Sequence, residues 1–193
     1  MDISTEIVKE LRDRTGVSVM QCRKALIEAQ GDLEKAVVIL RKASAGAAEK
    51  KADRELGAGA IGTYVHDGAI GAMVVLSSET DFVAKNPEFA AVAREIAMQV
   101  AATDPKYLSM DEVPEEAKTA AKAVFEKEVE GKPEEMKAKI MDGKLTSYFR
   151  DQVLLDQAFI KDEAKTIRDL VTEATQKFGE RVEITKFNRL SAR

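Results

Sequence analysis

Residues 60–77, AIGTYVHDGAIGAMVVLS, decide the fold class because they carry a β-hairpin pattern in a chain otherwise rich in helical signals. Two β-rich runs, 60–66 and 69–77, are joined by Asp67-Gly68, and Asp-Gly between such runs strongly indicates a two-residue hairpin turn. Apolar side chains alternate along the second run and line one face: Ile70, Ala72, Val74 and Leu76. His66 falls at the turn, where a solvated residue is more common than a catalytic one.

A third strand is predicted over residues 181–187, where Val182 and Ile184 share one face. It follows an amphipathic helical pattern that ends at Gly179, the residue type that commonly follows a helix. We expect this strand to join the hairpin in a small three-stranded antiparallel sheet. Together with the helical segments, this predicts an α+β fold with helices packed on the sheet.

The N-terminal segment, residues 1–43, carries three short helical patterns with capping signals at Ser18 and Asp32. Helices this short are marginal in water alone, so we expect them to pack as one bundle. Residues 44–59 are rich in small and charged residues and are predicted to form a linker. Its basic residues are diluted by acids, which favours a solvated hinge over a nucleic-acid patch, the alternative.

The remaining residues, 60–193, are predicted to form one α+β core domain. Within it, a charged helical region over about 111–157 is divided at Gly131-Lys132-Pro133. Few large apolar residues lie in this region, so we expect a helical hairpin inserted into the core domain.

Composition excludes several classes of function. The chain has 193 residues, a net charge of −4 and a pI of about 5.3, which argues against nucleic acid as a direct partner. With one Cys and one His, a metal site or a catalytic triad is not expected, and no cofactor is predicted. Apolar runs are too short to span a bilayer, so we expect a cytoplasmic protein.

Residues 78–87, SETDFVAKNP, connect the hairpin to the next helical pattern. Thr80 can cap a helical turn that contains Asp81 and Phe82, and Asn86-Pro87 can then start a second helix. Phe82 and Phe89 are seven positions apart, so in one continuous helix they would share a buried face. The restart at Asn86 instead favours an exposed corner, and the pattern leaves both interpretations open.

The sequence also lacks a glycine-rich phosphate loop and the common hydrolase and metalloprotease motifs. Pattern alone therefore predicts a two-part interaction protein that is not an enzyme.

Four segments carry a resemblance to a known family. Residues 11–41, LRDRTGVSVMQCRKALIEAQGDLEKAVVILR, are similar to an N-terminal ubiquitin-associated-like (UBA-like) three-helix domain. Residues 50–89, 131–159 and 178–187 resemble the linker with hairpin and corner, the coiled-coil region and the closing strand of the same family. The motif TDFVA together with an N-terminal LRxxTG is specific, and the chain resembles the elongation factor Ts family.

The resemblance implies a guanine-nucleotide exchange factor for elongation factor Tu, a role in translation that makes no covalent bond. It implies that Thr80, Asp81, Phe82 and Val83 enter the partner and displace its magnesium support. It also implies that the N-terminal domain docks on another helix of the partner. The candidates for that docking are Leu11, Arg12, Thr15, Gly16, Met20 and Lys24, although Leu11 also suits the bundle core and Gly16 a helix stop.

Longer members of the family carry two related core subdomains, whereas this chain has one. We therefore hypothesise a homodimer in which a second copy supplies the missing surface. The alternative function is a non-catalytic protein-binding module that acts through its UBA-like bundle.

Overall fold

The computed structural model describes residues 3–129 and 133–192. The helices are α1 (Thr5–Thr15), α2 (Val19–Glu28), α3 (Leu33–Glu49), α4 (Asp81–Ala84), α5 (Pro87–Thr103), α6 (Glu115–Val129), α7 (Glu134–Phe149) and α8 (Ile167–Phe178). The strands are β1 (Ala58–His66), β2 (Ile70–Ser78), β3 (Ala158–Phe159), β4 (Asp162–Thr166) and β5 (Val182–Ser191). Short 3-10 turns occupy Met110–Glu112 and Leu154–Asp156.

The main sheet is antiparallel and has the order β1-β2-β5, so the predicted hairpin and third strand are confirmed. Asp67 and Gly68 both have positive φ, 48° and 66°, as a tight two-residue hairpin turn requires. Strand β5 extends to Ser191, beyond the predicted end at 187. The predicted α+β class is confirmed, and a small second sheet of β3 and β4 was not foreseen.

Helix α5 covers the inner face of the sheet and builds the main core. Ile96 and Val100 of this helix are fully buried against apolar side chains of β2 and α8. The helix approaches β1 so closely that a Cβ at Gly62 would lie 2.1 Å from the Ala93 carbonyl oxygen. Glycine is therefore required at this contact between strand and helix.

Helices α1, α2 and α3 form the predicted bundle around their own core, which contains Leu11, Leu26 and Leu40. The side chains of Ser4, Ser18 and Asp32 cap the three helices. Helix α3 runs to Glu49, so helical structure continues into the predicted linker of residues 44–59. The division into domains at 1–43, 44–59 and 60–193 remains a prediction.

The region over about 111–157 contains α6 and α7, which pack against each other around a third core that includes Ala121 and Leu145. The predicted division at Gly131-Lys132 lies outside the described residues. In the described ranges, no helix combines the length and apolar character needed to cross a membrane.

Candidate functional site

The first candidate site is the corner, residues 79–87, which links β2 to α5. Helix α4 is a single turn, and the Thr80 side chain accepts a hydrogen bond from the Val83 amide at its start. The Asn86 side chain then accepts a hydrogen bond from the Glu88 amide, and Pro87 begins α5. Both predicted caps are confirmed, so the chain changes direction between the two helices.

Phe82 projects from this corner into solvent, with 82% of its surface exposed. Phe89 is fully buried and meets Phe178 edge to face, with ring centroids 5.4 Å apart. The interpretation of Phe82 as a core residue is therefore wrong, because the break before α5 removes the helical phase that would have aligned the two rings. Val83, the next residue, is buried and anchors α4 to the core.

Asp81 lies beside Phe82 and is also exposed. Its carboxylate accepts a hydrogen bond from Lys85 Nζ at 2.6 Å, one helical turn away. That hydrogen bond, together with the charge of Lys85, lowers the pKa of Asp81. The corner thus presents an aromatic ring and an ionised carboxylate side by side.

Glu180 holds the start of the corner from the loop before β5. Its carboxylate accepts hydrogen bonds from the Thr80 hydroxyl at 2.6 Å and from the Thr80 amide at 3.0 Å. Thr80 therefore positions α4 through two contacts to a segment 100 residues further along the chain.

Glu79 forms a second anchor. Its carboxylate accepts a hydrogen bond from the Arg181 amide at 2.6 Å and pairs with Arg54 Nη1 at 3.1 Å. The backbone hydrogen bond from Arg181 is the main cause that lowers the pKa of Glu79. Sequence reasoning missed both Glu79 and Glu180, because no local pattern indicates partners so distant in the chain.

The second candidate site is the N-terminal bundle. Met20 is 79% exposed, and Arg12 and Lys24 are also exposed, so these side chains are available for contact. Gly16 follows α1 with φ 68°, and the Thr15 hydroxyl donates to the Leu11 carbonyl at 2.7 Å. Leu11 is fully buried in the bundle core, as its position on the apolar face of α1 allows, and its part in docking remains a prediction.

A groove of about 400 Å³ lies on the same bundle. Ile3, Val8 and Val19 contribute apolar surface to it. Three cationic side chains, Lys9, Arg12 and Arg23, also line it. Sequence reasoning identified only Arg12 of this set, although Val19 and Arg23 are four positions apart on one face of α2.

Within residues 3–129 and 133–192, no group of three or more His, Cys, Asp or Glu side chains is arranged to hold a metal ion. An exposed aromatic ring beside a charge, and an apolar groove with cationic side chains, are the features of protein-docking surfaces. Both sites therefore have the surface character of a protein-docking site.

Comparison of the sequence with known proteins identifies the family of this chain. The sequence model described as Elongation factor TS matches residues 48–192. The elongation factor Ts of Thermodesulfovibrio yellowstonii is 44% identical over 190 residues, covering 98% of this chain and 96% of that protein. That of Thermosipho melanesiensis is 45% identical over 188 residues, covering 96% of each chain. That of Acetivibrio thermocellus is 44% identical over 190 residues, covering 97% of this chain and 88% of that protein. The chain belongs to the elongation factor Ts family, the membership that its sequence motifs predicted, and its role is in translation elongation.

Proposed function

We propose that the chain is a guanine-nucleotide exchange factor that binds GDP-bound elongation factor Tu and promotes release of GDP, after which GTP binds. The observation that carries this proposal is the exposed Phe82 beside the ionised Asp81, on a corner whose start is held by Glu180. Exposure of a large aromatic side chain has no benefit for the folded chain alone, whereas such side chains are typical anchors of an interface.

The proposed mechanism acts on the partner's magnesium site. In nucleotide-binding proteins of this kind, Mg²⁺ bridges the nucleotide phosphates and protein oxygens, so moving its protein support loosens the nucleotide. Phe82 supplies the bulk that enters between helices of the partner, and Asp81 supplies the charge. Thr80 and Val83 hold them in place, one through Glu180 and the other through the core.

The thermodynamic requirement is a coupling between two ligands of elongation factor Tu. If this chain lowers the affinity of the partner for GDP, GDP lowers the affinity of the partner for this chain by the same factor. The proposed intermediate is therefore a ternary complex that dissociates readily in either direction. GTP then refills the nucleotide-free partner.

The N-terminal bundle provides the second contact in this proposal. Its groove is lined by both cationic and apolar side chains, and Met20 is exposed on the same bundle. These features suit a partner helix that carries acidic and apolar side chains. Because this contact lies outside the nucleotide site, we assign to it affinity for the partner and not the displacement of magnesium support.

The experiment that tests the proposal is the release of fluorescent GDP from elongation factor Tu. We expect release to accelerate with the concentration of this protein, and Phe82→Ala to abolish most of the acceleration. Lys161→Ala, which removes an exposed ion pair with Glu95 on the core, is the matched control. Unchanged release with the unsubstituted protein at saturating concentration rejects the proposal.

The alternative function, a protein-binding module that acts through the bundle alone, is favoured by the same groove. It predicts that elongation factor Tu binds while GDP release remains at its spontaneous rate. It also predicts that Met20→Glu abolishes binding, whereas Phe82→Ala leaves binding unchanged. A binding titration performed beside the release assay distinguishes the two functions.

A second copy of the chain is the further partner that we propose. The outer face of the sheet exposes apolar side chains on all three strands: Ile61, Val65, Met73 and Leu190. Val65 and Leu190 lie in register on the two sides of Gly71, so this row of the face has an apolar side chain on each outer strand and none on β2. Two such faces packed together would remove the apolar side chains from water.

Sedimentation equilibrium tests this homodimer. We expect dimers at micromolar concentrations and a shift to monomers for Leu190→Lys. Only monomers at every concentration, both for the free protein and in its complex, would reject it. We also propose a cytoplasmic location, which fractionation of cells with an antibody against the chain tests.

A further inference from the structure

Helix α8 packs against two different parts of the protein, one on each face. Its apolar face, which includes Ile167, Val171 and Ala174, packs in the main core. The other face carries Glu173, Gln176 and Lys177, which are three and four positions apart and therefore neighbours on the helix surface. This second face meets the N-terminal bundle.

Two residues on this second face of α8 contact α3. Glu173 accepts a hydrogen bond from Lys165 Nζ at 2.8 Å and lies 3.9 Å from Arg41 Nε on α3. One turn further along each helix, the Ser44 hydroxyl donates to Gln176 Oε1. Ser44 is only 2% exposed, so the α3 side of this contact is buried.

Lys177 makes the third contact, and it links the bundle with the corner. Its side chain passes over Gly16, where an added Cβ would lie 3.2 Å from the Cδ and Cε of Lys177. Its Nζ lies 3.4 Å from a carboxylate oxygen of Glu88. Glu88 belongs to the first turn of α5, immediately after the corner.

Helix α3 connects the bundle core directly with α8. Leu40 in its middle belongs to the bundle core, and Ser44 one turn later lies against α8. The same helix therefore belongs to both the bundle and the contact with the core domain. A cavity of about 200 Å³ lies at this contact, lined by Ser44 and Gln176 and by the charged side chains of Arg41 and Glu173.

We propose that Glu173, Gln176 and Lys177 form a junction that holds the N-terminal bundle at a fixed position relative to the corner, and that Glu173 and Lys177 are positioning residues for exchange. The effect on exchange rests on the proposed function, whereas the fixed position is a property of the free protein. A fixed spacing lets both docking surfaces engage one partner without a further loss of freedom on binding.

The geometric test measures a distance in the free, full-length chain. Spin labels are placed at Glu28→Cys on α2 and Ala91→Cys on α5, in a Cys22→Ala background, and the distance distribution is recorded by double electron–electron resonance. Both positions are exposed, and Cys22 is buried in the bundle. We expect one narrow distribution.

Single ion pairs of this kind contribute little individually, so Glu173 and Lys177 are substituted together, which removes three ion pairs. Glu173→Ala with Lys177→Ala should broaden the distribution, while far-ultraviolet circular dichroism and the urea midpoint of the core domain remain close to those of the parent. Lys161→Ala, which removes an ion pair with Glu95 of α5 that involves neither α3 nor α8, should leave the distribution narrow. An unchanged distribution in the double variant overturns the proposal.

The exchange test separates positioning from direct action at the corner. For the double variant, the concentration that gives half-maximal GDP release should rise by about threefold or more, because the two surfaces no longer act as one unit. The release rate at saturation should equal that of the parent. If the double variant had a lower GDP-release rate at saturation and an unchanged distance distribution, the positioning role of Glu173 and Lys177 would be contradicted.

The two proposals can fail separately. If the parent protein does not accelerate GDP release, the proposed function fails, and the distance measurement still decides whether the junction fixes the bundle. If the parent accelerates release and the double variant retains a narrow distribution, only the junction fails.

Discussion

Phe82 and Phe89 are seven positions apart, and they occupy opposite environments: Phe82 is 82% exposed and Phe89 is completely buried. The residues between them contain the end of α4 and the Asn86 cap of α5. One aromatic ring is therefore exposed to solvent, while the other packs α5 against Phe178 of α8. Substitutions at the two positions should separate binding from stability.

Phe82→Ala should leave the free energy of unfolding within about 0.5 kcal/mol of the parent value, because the ring has few contacts to lose. Phe89→Ala should lower it by about 3–5 kcal/mol, because it leaves a cavity in the core. Urea denaturation measures both values. The GDP-release assay should show a loss of at least about tenfold in the stimulated rate for Phe82→Ala, which corresponds to about 1.4 kcal/mol in the activation free energy of release. A large loss of stability for Phe82→Ala would restore the core interpretation.

Asp81→Asn should slow stimulated GDP release while leaving the fold intact, because it removes a charge but retains the size and the position of the side chain. Lys85→Met is the matched control, since it breaks the same ion pair and keeps the carboxylate. Stopped-flow fluorescence measures release for each variant. Equal release rates for the parent and Asp81→Asn would show that the charge has no part in exchange.

Glu180→Ala should loosen the corner without unfolding the chain. It removes the acceptor of two Thr80 hydrogen bonds, and because both bonds are exposed to water, their loss should free the start of α4 and leave the core folded. Amide hydrogen exchange should become faster over residues 80–85 and remain at the parent rate in the bundle. The control is Glu95→Ala, whose ion pair lies elsewhere on the core. Equal protection of residues 80–85 in the parent and Glu180→Ala would contradict an anchoring role.

The pH dependence of stability should reveal the anchor at Glu79. Its pKa is lowered in the folded chain, chiefly by the hydrogen bond from the Arg181 amide. A lowered folded pKa stabilises the native state above the pKa of the unfolded chain, about 4.3, and this contribution is lost as the pH falls through the folded value. The difference in unfolding free energy between the parent and Glu79→Gln should therefore be present at pH 7 and shrink towards pH 3 in urea denaturation. A difference that is constant with pH would exclude the charge of Glu79 as its origin.

Gly62→Ala should destabilise the core domain by about 3 kcal/mol or more, because its Cβ would lie 2.1 Å from the Ala93 carbonyl and force α5 away from β1. Gly71→Ala on β2 is the control, since an added Cβ there meets no heavy atom within 4 Å. Its stability should remain near the parent value or rise slightly. Thermal unfolding measures the midpoints of the two variants. Equal decreases in the two midpoints would contradict a steric requirement for glycine at position 62.

Local chemistry determined much of the fold before any contact was known. Asp67-Gly68 specified the hairpin because its positive φ angles suit few other residue pairs. Ser18, Asp32, Thr80 and Asn86 marked helix starts because their side chains satisfy backbone amides within three residues. These signals are short in range, so the sequence contains them completely. The small sheet of β3 and β4 was missed because its strands are short and mostly polar.

Part of the candidate site could also be predicted, because its caps are short-range signals in the sequence. The sequence by itself determined that the corner has two caps and that a phenylalanine and an aspartate stand between them. Only the tertiary structure decided that Phe82 faces solvent, that Leu11 faces the bundle core, and that Glu180 holds Thr80. Burial and hydrogen bonds between distant segments depend on how whole elements pack, and no local pattern within the corner specifies a partner 100 residues away.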